Sequence, residues 1–183
     1  MNKIILGLDC SSTTFGYGIL AITPENNINY VKCGYYKPPK TGNILDRLKE
    51  SRDNINKIIQ TYSPDNIGIE DIIQYMPKMS TAKTIITLTA FNRMAGLTAY
   101  DYLHKSPELF SVLSIRHGLK IDKVYPKKEE MPELLEKHLN FSFPYIYQKS
   151  KKTPNKIKTE TYDMADGLAV ALYLAYKTTG KLK

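Results

Sequence analysis

Short apolar runs in the first 36 residues of the chain predict strands. Residues 3–9 and 15–22 are two such runs, and both contain several β-branched or aromatic residues. The small and polar residues between them, Cys10 to Thr14, predict a tight antiparallel hairpin. Residues 28–36 alternate between apolar and polar side chains, which predicts a third strand.

Helical spacing replaces this alternation in the middle of the chain. Apolar residues recur every three or four positions over 43–62, which predicts an amphipathic helix. Residues 67–70 then form a short apolar run, expected to lie parallel to the first strand after a right-handed crossover. Ser80 or Thr81 is expected to cap a long helix that runs to about residue 104.

The last third of the chain is less regular. Residues 107–121 fit either a helix that starts at Ser106-Pro107 or a strand from Phe110 to Ile115 that leads into Arg116, and we expect the strand. Beyond them the pattern predicts a helix over 127–139, an exposed basic loop over 149–158 with five lysines, and a final helix over about 161–177.

Composition narrows the class of partner. The 183 residues carry a formal net charge of +8, which favours polyanions and nucleic acid in particular. We expect one domain over 1–183, because this length buries a full core. Cys10 and Cys33 have no metal-ligand spacing, and no signal peptide or membrane-spanning run is recognisable. The sequence therefore predicts a cytoplasmic protein with reduced thiols and no membrane contact.

Four acids interrupt otherwise apolar elements. Asp9 and Glu70 end two predicted strands, and Asp163 and Asp166 lie one turn apart on the final helix. Each has a plain structural explanation as well, because an Asp can cap a turn and acids favour the first turn of a helix. Together they predict a pocket for divalent cations. Hard oxygen ligands suit Mg²⁺ or Mn²⁺ rather than zinc, and two such ions can drive phosphodiester cleavage.

The order and spacing of these motifs resemble the RuvC family of Holliday-junction resolvases. Asp9 to Tyr17 is similar to the opening motif of the family, in which an Asp precedes small residues and a Gly-Tyr. Glu70 matches its second acid, and Asp163 with Asp166 matches its carboxy-terminal pair. The resemblance implies an α/β ribonuclease H-like fold, a mixed five-stranded sheet with helices on both faces.

This resemblance also implies an activity. A family member would be a homodimeric endonuclease that nicks four-way DNA junctions symmetrically, in DNA recombination and repair, with two Mg²⁺ (or Mn²⁺) ions per active site. Asp9 would bridge both ions, Glu70 and Asp166 would hold one each, and Asp163 would complete the set. The helix over 80–104 would form much of the dimer interface. Contacts to DNA are expected at Ser11, Tyr75, Lys78, Lys83, Arg116, Lys151, Lys152 and Lys156.

Three other functions remain as alternatives. A nuclease of the same fold could act on flaps or other branched DNA, and a junction-binding module could lack activity. Asp9 to Thr14 is also similar to the phosphate loop of actin-like sugar kinases. Those folds need two such domains and roughly twice this length, which makes them the weakest alternative.

Overall fold

The computed structural model describes residues 1–72, 81–120, 125–149 and 155–182. Four of the five strands lie within the first 70 residues, and four of the five α-helices follow them. In order, the elements are β1 (Lys3–Cys10), β2 (Phe15–Ile22), β3 (Ile28–Tyr36), α1 (Ile44–Tyr62), β4 (Asn66–Glu70), α2 (Ala82–Leu103), β5 (Glu108–Phe110), α3 (Val112–Leu119), a 3₁₀ turn (Lys128–Glu130), α4 (Met131–Leu139) and α5 (Thr159–Thr179).

The five strands form one mixed sheet with the order β3-β2-β1-β4-β5. β1 pairs antiparallel with β2 and parallel with β4, and β5 extends the parallel half. α1 and α2 contribute to the apolar core on one side, and α3, α4 and α5 contribute to the core on the other. This confirms the predicted fold class, a mixed five-stranded sheet with helices on both faces.

Alternation along β1 assigns its side chains to these two cores. Leu6 and Leu8 pack toward α1 and α2, whereas Ile5 belongs to the core that contains α5. Gly7 is on the same face of β1 as Ile5, and it lies directly against the backbone of Ala171 in α5. Because successive side chains point to opposite faces, Asp9 is directed to the α5 side at the end of the strand.

The helices of the first half begin and end close to the predicted positions. The side chain of Asn43 caps α1 by accepting a hydrogen bond from the Leu45 amide, and Ser63 ends the helix in the left-handed region. Thr81 caps α2 by accepting from the Thr84 amide. α5 is longer than predicted by two residues at each end.

The strand predicted over 110–115 is wrong. β5 contains only Glu108–Phe110, and residues 112–119 form α3 instead. The side chain of Ser111 accepts a hydrogen bond from the Ser114 amide and so starts a helix immediately after the strand. Ile115 and Leu119 are buried four positions apart, which is helical spacing. The short apolar run from Phe110 to Ile115 does not reveal this spacing, because it is also compatible with a strand.

The basic stretch over 149–158 is more ordered at its base than the predicted loop. Tyr147 pairs antiparallel with Ile157, and the Gln148 amide donates to the Lys156 carbonyl at 2.9 Å. A series of ring contacts runs from Tyr30 through Phe141, Phe143 and Tyr145 to Tyr147. This series attaches the paired residues Tyr147 and Ile157 to the core beside β3.

No helix in the described part of the chain is long and apolar enough to cross a bilayer.

Candidate active site

Two acids of the candidate site come from the ends of neighbouring strands. The register of β1 against β4 places Leu8 opposite Ile69, so that Asp9 and Glu70 follow at the same edge of the sheet. Both carboxylates lie on the α5 side of the sheet, by the alternation described above. The Asn92 side chain donates to the Glu70 carbonyl at 2.8 Å and fixes the end of β4.

α5 brings the other two acids to this edge through a glycine contact. A Cβ on Gly16 would lie 1.6 Å from the Asp163 carbonyl oxygen, and one on Gly167 would lie 2.4 Å from the Gly16 carbonyl carbon. The first turns of α5 therefore rest directly on β2, where no side chain separates the two backbones. Because Gly16 pairs with Asp9 across the sheet, this contact brings Asp163 and Asp166 beside β1.

Lys128 joins the two helical acids. Its Nζ lies 3.1 Å from Asp163 Oδ1 and 3.0 Å from Asp166 Oδ2. The residue begins the 3₁₀ turn that leads into α4, and the Glu130 carboxylate holds that turn by accepting from the Lys127 amide. A fixed ammonium group thus neutralises part of the acidic cluster.

A hollow with a volume of about 320 Å³ lies among these residues. Asp9, Glu70 and Asp166 line it together with Arg116 of α3 and Lys128. Asp163 does not line the hollow and belongs to the group through Lys128. The structure therefore brings three of the four predicted acids to one hollow and connects the fourth by an ion pair.

Burial and mutual repulsion make these carboxyl groups hard to ionise. Burial, with the charge of Asp166, raises the pKa of Asp9 to about 7. Burial and the charges of Asp9 and Asp166 raise the pKa of Glu70 to about 9. Burial also raises the pKa of Asp166, although Lys128 acts in the opposite direction. The cluster consequently gains stability from any positive charge placed inside it.

Among the described residues, no group of three or more Asp, Glu, His or Cys side chains forms a ready coordination shell for a metal ion. The donor set still fits a divalent cation. It consists of carboxylate oxygens, which hard ions prefer, and these acids accept a cation already, since Lys128 binds two of them.

The residues predicted to contact DNA lie in different parts of the structure. Arg116 faces the hollow, and its charge lowers the pKa values of both Glu70 and Asp166. Ser11 shapes the turn after β1 by accepting from the Thr13 and Thr14 amides. Lys83 and Lys156 are exposed and do not line the hollow. Tyr75, Lys78, Lys151 and Lys152 lie outside the described residues.

Two residues of the site were missed by sequence reasoning. Lys128 lies 35 positions from Asp163, and no local pattern distinguishes it from other lysines. Arg47 donates to the Ser12 and Pro39 carbonyls at 2.7 and 2.6 Å, and its guanidinium lies 5.3 Å from the centre of the Phe91 ring. Arg47 thereby fixes the turn that follows Asp9 against α1 and α2.

Comparison with known proteins adds independent findings. The family model described as "Crossover junction endodeoxyribonuclease RuvC" matches residues 5–104. A RuvC protein of Bacteroides fragilis is 27% identical over 149 residues, which cover 77% of this chain and 71% of the relative. A RuvC protein of Chromobacterium violaceum is 25% identical over 182 residues, which cover 100% of this chain and 91% of the relative.

Solved structures show the same fold. RuvC of Thermus thermophilus in complex with a Holliday junction substrate has a TM-score of 0.70 at 15% identity, covering 99% of this chain and 98% of that one. The yeast mitochondrial Holliday junction resolvase Ydc2 has a TM-score of 0.64 at 14% identity, covering 97% and 80%. The chain therefore has the fold of the ribonuclease H-like class, as these two structures do. Within that class, the chain belongs to the RuvC family.

Proposed function

We propose that this protein resolves four-way DNA junctions by divalent-metal-dependent hydrolysis, with Asp9, Glu70, Asp163 and Asp166 as its catalytic acids. Membership of the RuvC family supports the activity. The observation that carries the site assignment is the gathering of Asp9, Glu70 and Asp166 around one hollow, with Asp163 attached through Lys128. A basic protein with a strongly acidic hollow is what phosphodiester cleavage requires.

Mg²⁺, or Mn²⁺ in its place, is the cofactor that suits this hollow. Asp9, Glu70 and Asp166 would hold the ions from the walls of the hollow, and Asp163 would complete the set. Bound divalent ions supply an activated water and stabilise the departing oxygen of the phosphodiester. Cations in the hollow would lower the raised pKa values of Asp9 and Glu70, because they offset the burial and the mutual repulsion that favour the protonated acids.

Two basic side chains at this hollow, Arg116 and Lys128, act on the substrate. Arg116 can donate to the phosphate oxygens through its planar guanidinium. The neighbouring charges of Asp166 and Asp163 outweigh burial and raise the pKa of Lys128. Lys128 Nζ therefore keeps its proton, and it serves as a positive charge and hydrogen-bond donor rather than as a base.

A homodimer would let two such sites act on opposite strands. α2 packs into the core through Phe91, Ala95 and Ala99, and it leaves a second apolar surface exposed. Ile86, Leu97 and Tyr100 are 68, 63 and 49% exposed on this helix. Exposed apolar side chains of this size on one helix favour a contact with a second copy.

DNA outside the hollow would lie against basic residues at the periphery. Lys83 lies in the first turn of α2 and Lys156 precedes α5, and both are exposed. We propose that they bind backbone phosphates together with Ser11, Tyr75, Lys78, Lys151 and Lys152. Phosphate contacts of this kind position the DNA without reading its sequence.

Cleavage of a mobile synthetic four-way junction tests the proposal. The protein is incubated with the junction, a matched linear duplex, a three-way junction and a flap, each with Mg²⁺ and with chelator. Paired symmetric nicks on the four-way junction, dependent on Mg²⁺, are the expected result. Preferred cleavage of flaps or three-way junctions would identify a different branched substrate, and binding without cleavage in Mg²⁺ or Mn²⁺ would identify a junction-binding module.

A further inference from the structure

A series of polar contacts connects the exposed face of α2 with the backbone of Glu70. The buried Asn92 side chain donates to the Glu70 carbonyl at 2.8 Å, and its amide oxygen accepts from Arg93 Nη1 at 3.0 Å. Arg93 Nη2 also lies 3.1 Å from Asp71 Oδ1. Asp71 directly follows Glu70, and its amide donates to the Phe110 carbonyl of β5. The Arg93 guanidinium therefore reaches the end of β4 by two routes.

Arg93 determines which way the Asn92 amide points. An Asn amide can rotate by half a turn with little change in shape, and here that rotation would direct its oxygen at the Glu70 carbonyl, which is also an acceptor. Because Arg93 only donates, it keeps the Asn92 oxygen on its own side and the NH₂ group on the Glu70 side. Arg93 is thus a positioning residue for Glu70, although it does not line the hollow.

Arg93 lies on the face of α2 that carries exposed apolar side chains. Ile86, Arg93, Leu97 and Tyr100 follow one another at intervals of seven, four and three positions, which places them on one side of a helix. This side is the proposed dimer face. The Arg93 side chain is 48% exposed, so a second copy seated on this face would cover it.

The contacts of Arg93 suit a residue that becomes covered. A charge in an apolar contact is costly unless it is paired, and Asp71 and Asn92 supply this pairing from the same chain. While the Arg93–Asp71 ion pair is exposed to water, it contributes little. Once the face is covered, water and salt screen the pair less, and the hydrogen bond to Asn92 is strengthened as well.

We propose that dimer formation through α2 completes each active site, because covering Arg93 locks Asn92 onto the Glu70 carbonyl and so fixes the Glu70 carboxylate in the hollow. The inference rests on the proposed junction-cleaving function and adds a regulation of its site. A coupling between two binding events is reciprocal, so a divalent ion held by Glu70 should in turn strengthen the dimer.

Analytical ultracentrifugation measures this coupling without cleavage. The dissociation constant of the dimer is determined without DNA, in chelator and in saturating Mg²⁺ at matched ionic strength. The wild type should dimerise about tenfold more tightly in Mg²⁺. Arg93→Met keeps the length of the side chain but cannot donate, so its dissociation constant should change by less than about twofold.

Arg52→Met is the matched control, because Arg52 is exposed on α1. It should keep the tightening in Mg²⁺ of about tenfold that the wild type shows. Equal effects of Mg²⁺ on the wild type and on Arg93→Met would overturn the proposal, and so would a wild-type dimer that is indifferent to Mg²⁺.

The rate of the first nick shows whether the coupling reaches catalysis. With the protein fully dimeric, Arg93→Met should nick a four-way junction about tenfold more slowly at low Mg²⁺ and approach the wild-type rate as Mg²⁺ is raised. Arg93→Lys should restore part of the rate, because an ammonium group can donate to one of the two partners. A slow rate that high Mg²⁺ leaves unchanged would contradict a role in fixing Glu70.

The two measurements separate this inference from the proposed function. If no four-way junction is nicked in Mg²⁺, the proposed function fails, while the dissociation constants still test the coupling. If the wild type nicks the junction and its dimer is equally stable with and without Mg²⁺, the coupling through Arg93 fails alone.

Discussion

Glu70 and Asp9 show how burial at a strand end raises the pKa of an ordinary carboxyl group. Each follows a run of buried residues, and each meets a second carboxylate across the site. Burial and the charges of Asp9 and Asp166 hold the pKa of Glu70 at about 9, although the charge of Lys128 acts in the opposite direction. The chemistry of the site therefore depends on added positive charge.

The raised pKa of Glu70 predicts that metal-free protein loses stability as the pH rises. In the unfolded chain the group ionises near its ordinary value of 4.5, whereas in the native state it holds its proton to about pH 9. Between these values the native state binds more protons, so the free energy of unfolding falls with increasing pH. From pH 5.5 to 8.5 in chelator, we expect a loss on the order of 4 kcal/mol from this group.

Urea denaturation of the wild type and of Glu70→Gln measures this contribution. Gln stays neutral at every pH, so the decline should be flatter in the variant. Saturating Mg²⁺ should restore stability to the wild type at pH 8.5, because it binds the ionised acids of the native state. Parallel declines in the two proteins without metal would show that Glu70 is not held in its protonated form.

At the scale of elements, the site depends on how α5 approaches the sheet. Gly16 and Gly167 remove the side chains that would keep α5 away from β2. The two acids of α5 extend from the turns that this contact fixes. A change in the distance between helix and sheet would therefore move half of the acidic cluster relative to Asp9.

Gly16→Ala is expected to lower the free energy of unfolding by about 2–4 kcal/mol and to slow cleavage. The added Cβ would overlap the Asp163 carbonyl oxygen, and backbone cannot yield as a flexible side chain does. Gly96→Ala is the matched control. It lies inside α2 with nothing within 4 Å of the added atom, and should gain about 0.5–1 kcal/mol from helix propensity.

Urea denaturation at one protein concentration compares the two alanine variants. A Gly16→Ala protein as stable as the wild type would show that α5 does not rest on β2 as described.

Elements with a clear periodicity of apolar residues were predicted from the sequence, whereas α3 was not. The alternation of β1 and the helical spacing of α1 each express one buried face, which a pattern reveals. Phe110 to Ile115 combines the end of a three-residue strand with the start of a helix, and the Ser111 cap that divides them is a single local hydrogen bond. The role of Lys128 is harder still to predict, because only tertiary packing brings this residue to Asp163 and Asp166.

At the scale of the whole molecule, symmetric cleavage of two DNA strands needs two active sites in one oligomer. The exposed apolar side chains of α2 lie on the same helix as Asn92, which donates to the Glu70 carbonyl beside the acids. A dimer formed through α2 would therefore connect the two active sites through one pair of helices. The net charge of +8 then favours binding of both strands of a branched polyanion.

Leu97→Glu is expected to weaken the dimer on the order of 30-fold, because it places a charge in an apolar contact. Analytical ultracentrifugation measures the dissociation constant, and the cleavage products should change from paired nicks to single nicks. Leu45→Glu makes the same substitution at an equally exposed leucine on α1 and should leave the dimer intact. Equal dissociation constants for the two variants would exclude α2 as the interface.

Single-turnover cleavage of a four-way junction by Asp166→Asn is the most direct test of the acidic centre. We expect the rate in Mg²⁺ to fall by about 10²-fold or more, because the proposed metal site loses a carboxylate ligand, while junction affinity in chelator is retained. Asp53→Asn removes the same charge from a side chain on α1 that is 40% exposed, and it should cleave as the wild type does. Wild-type rates in Asp166→Asn would contradict the claim that these carboxylates form the catalytic metal site.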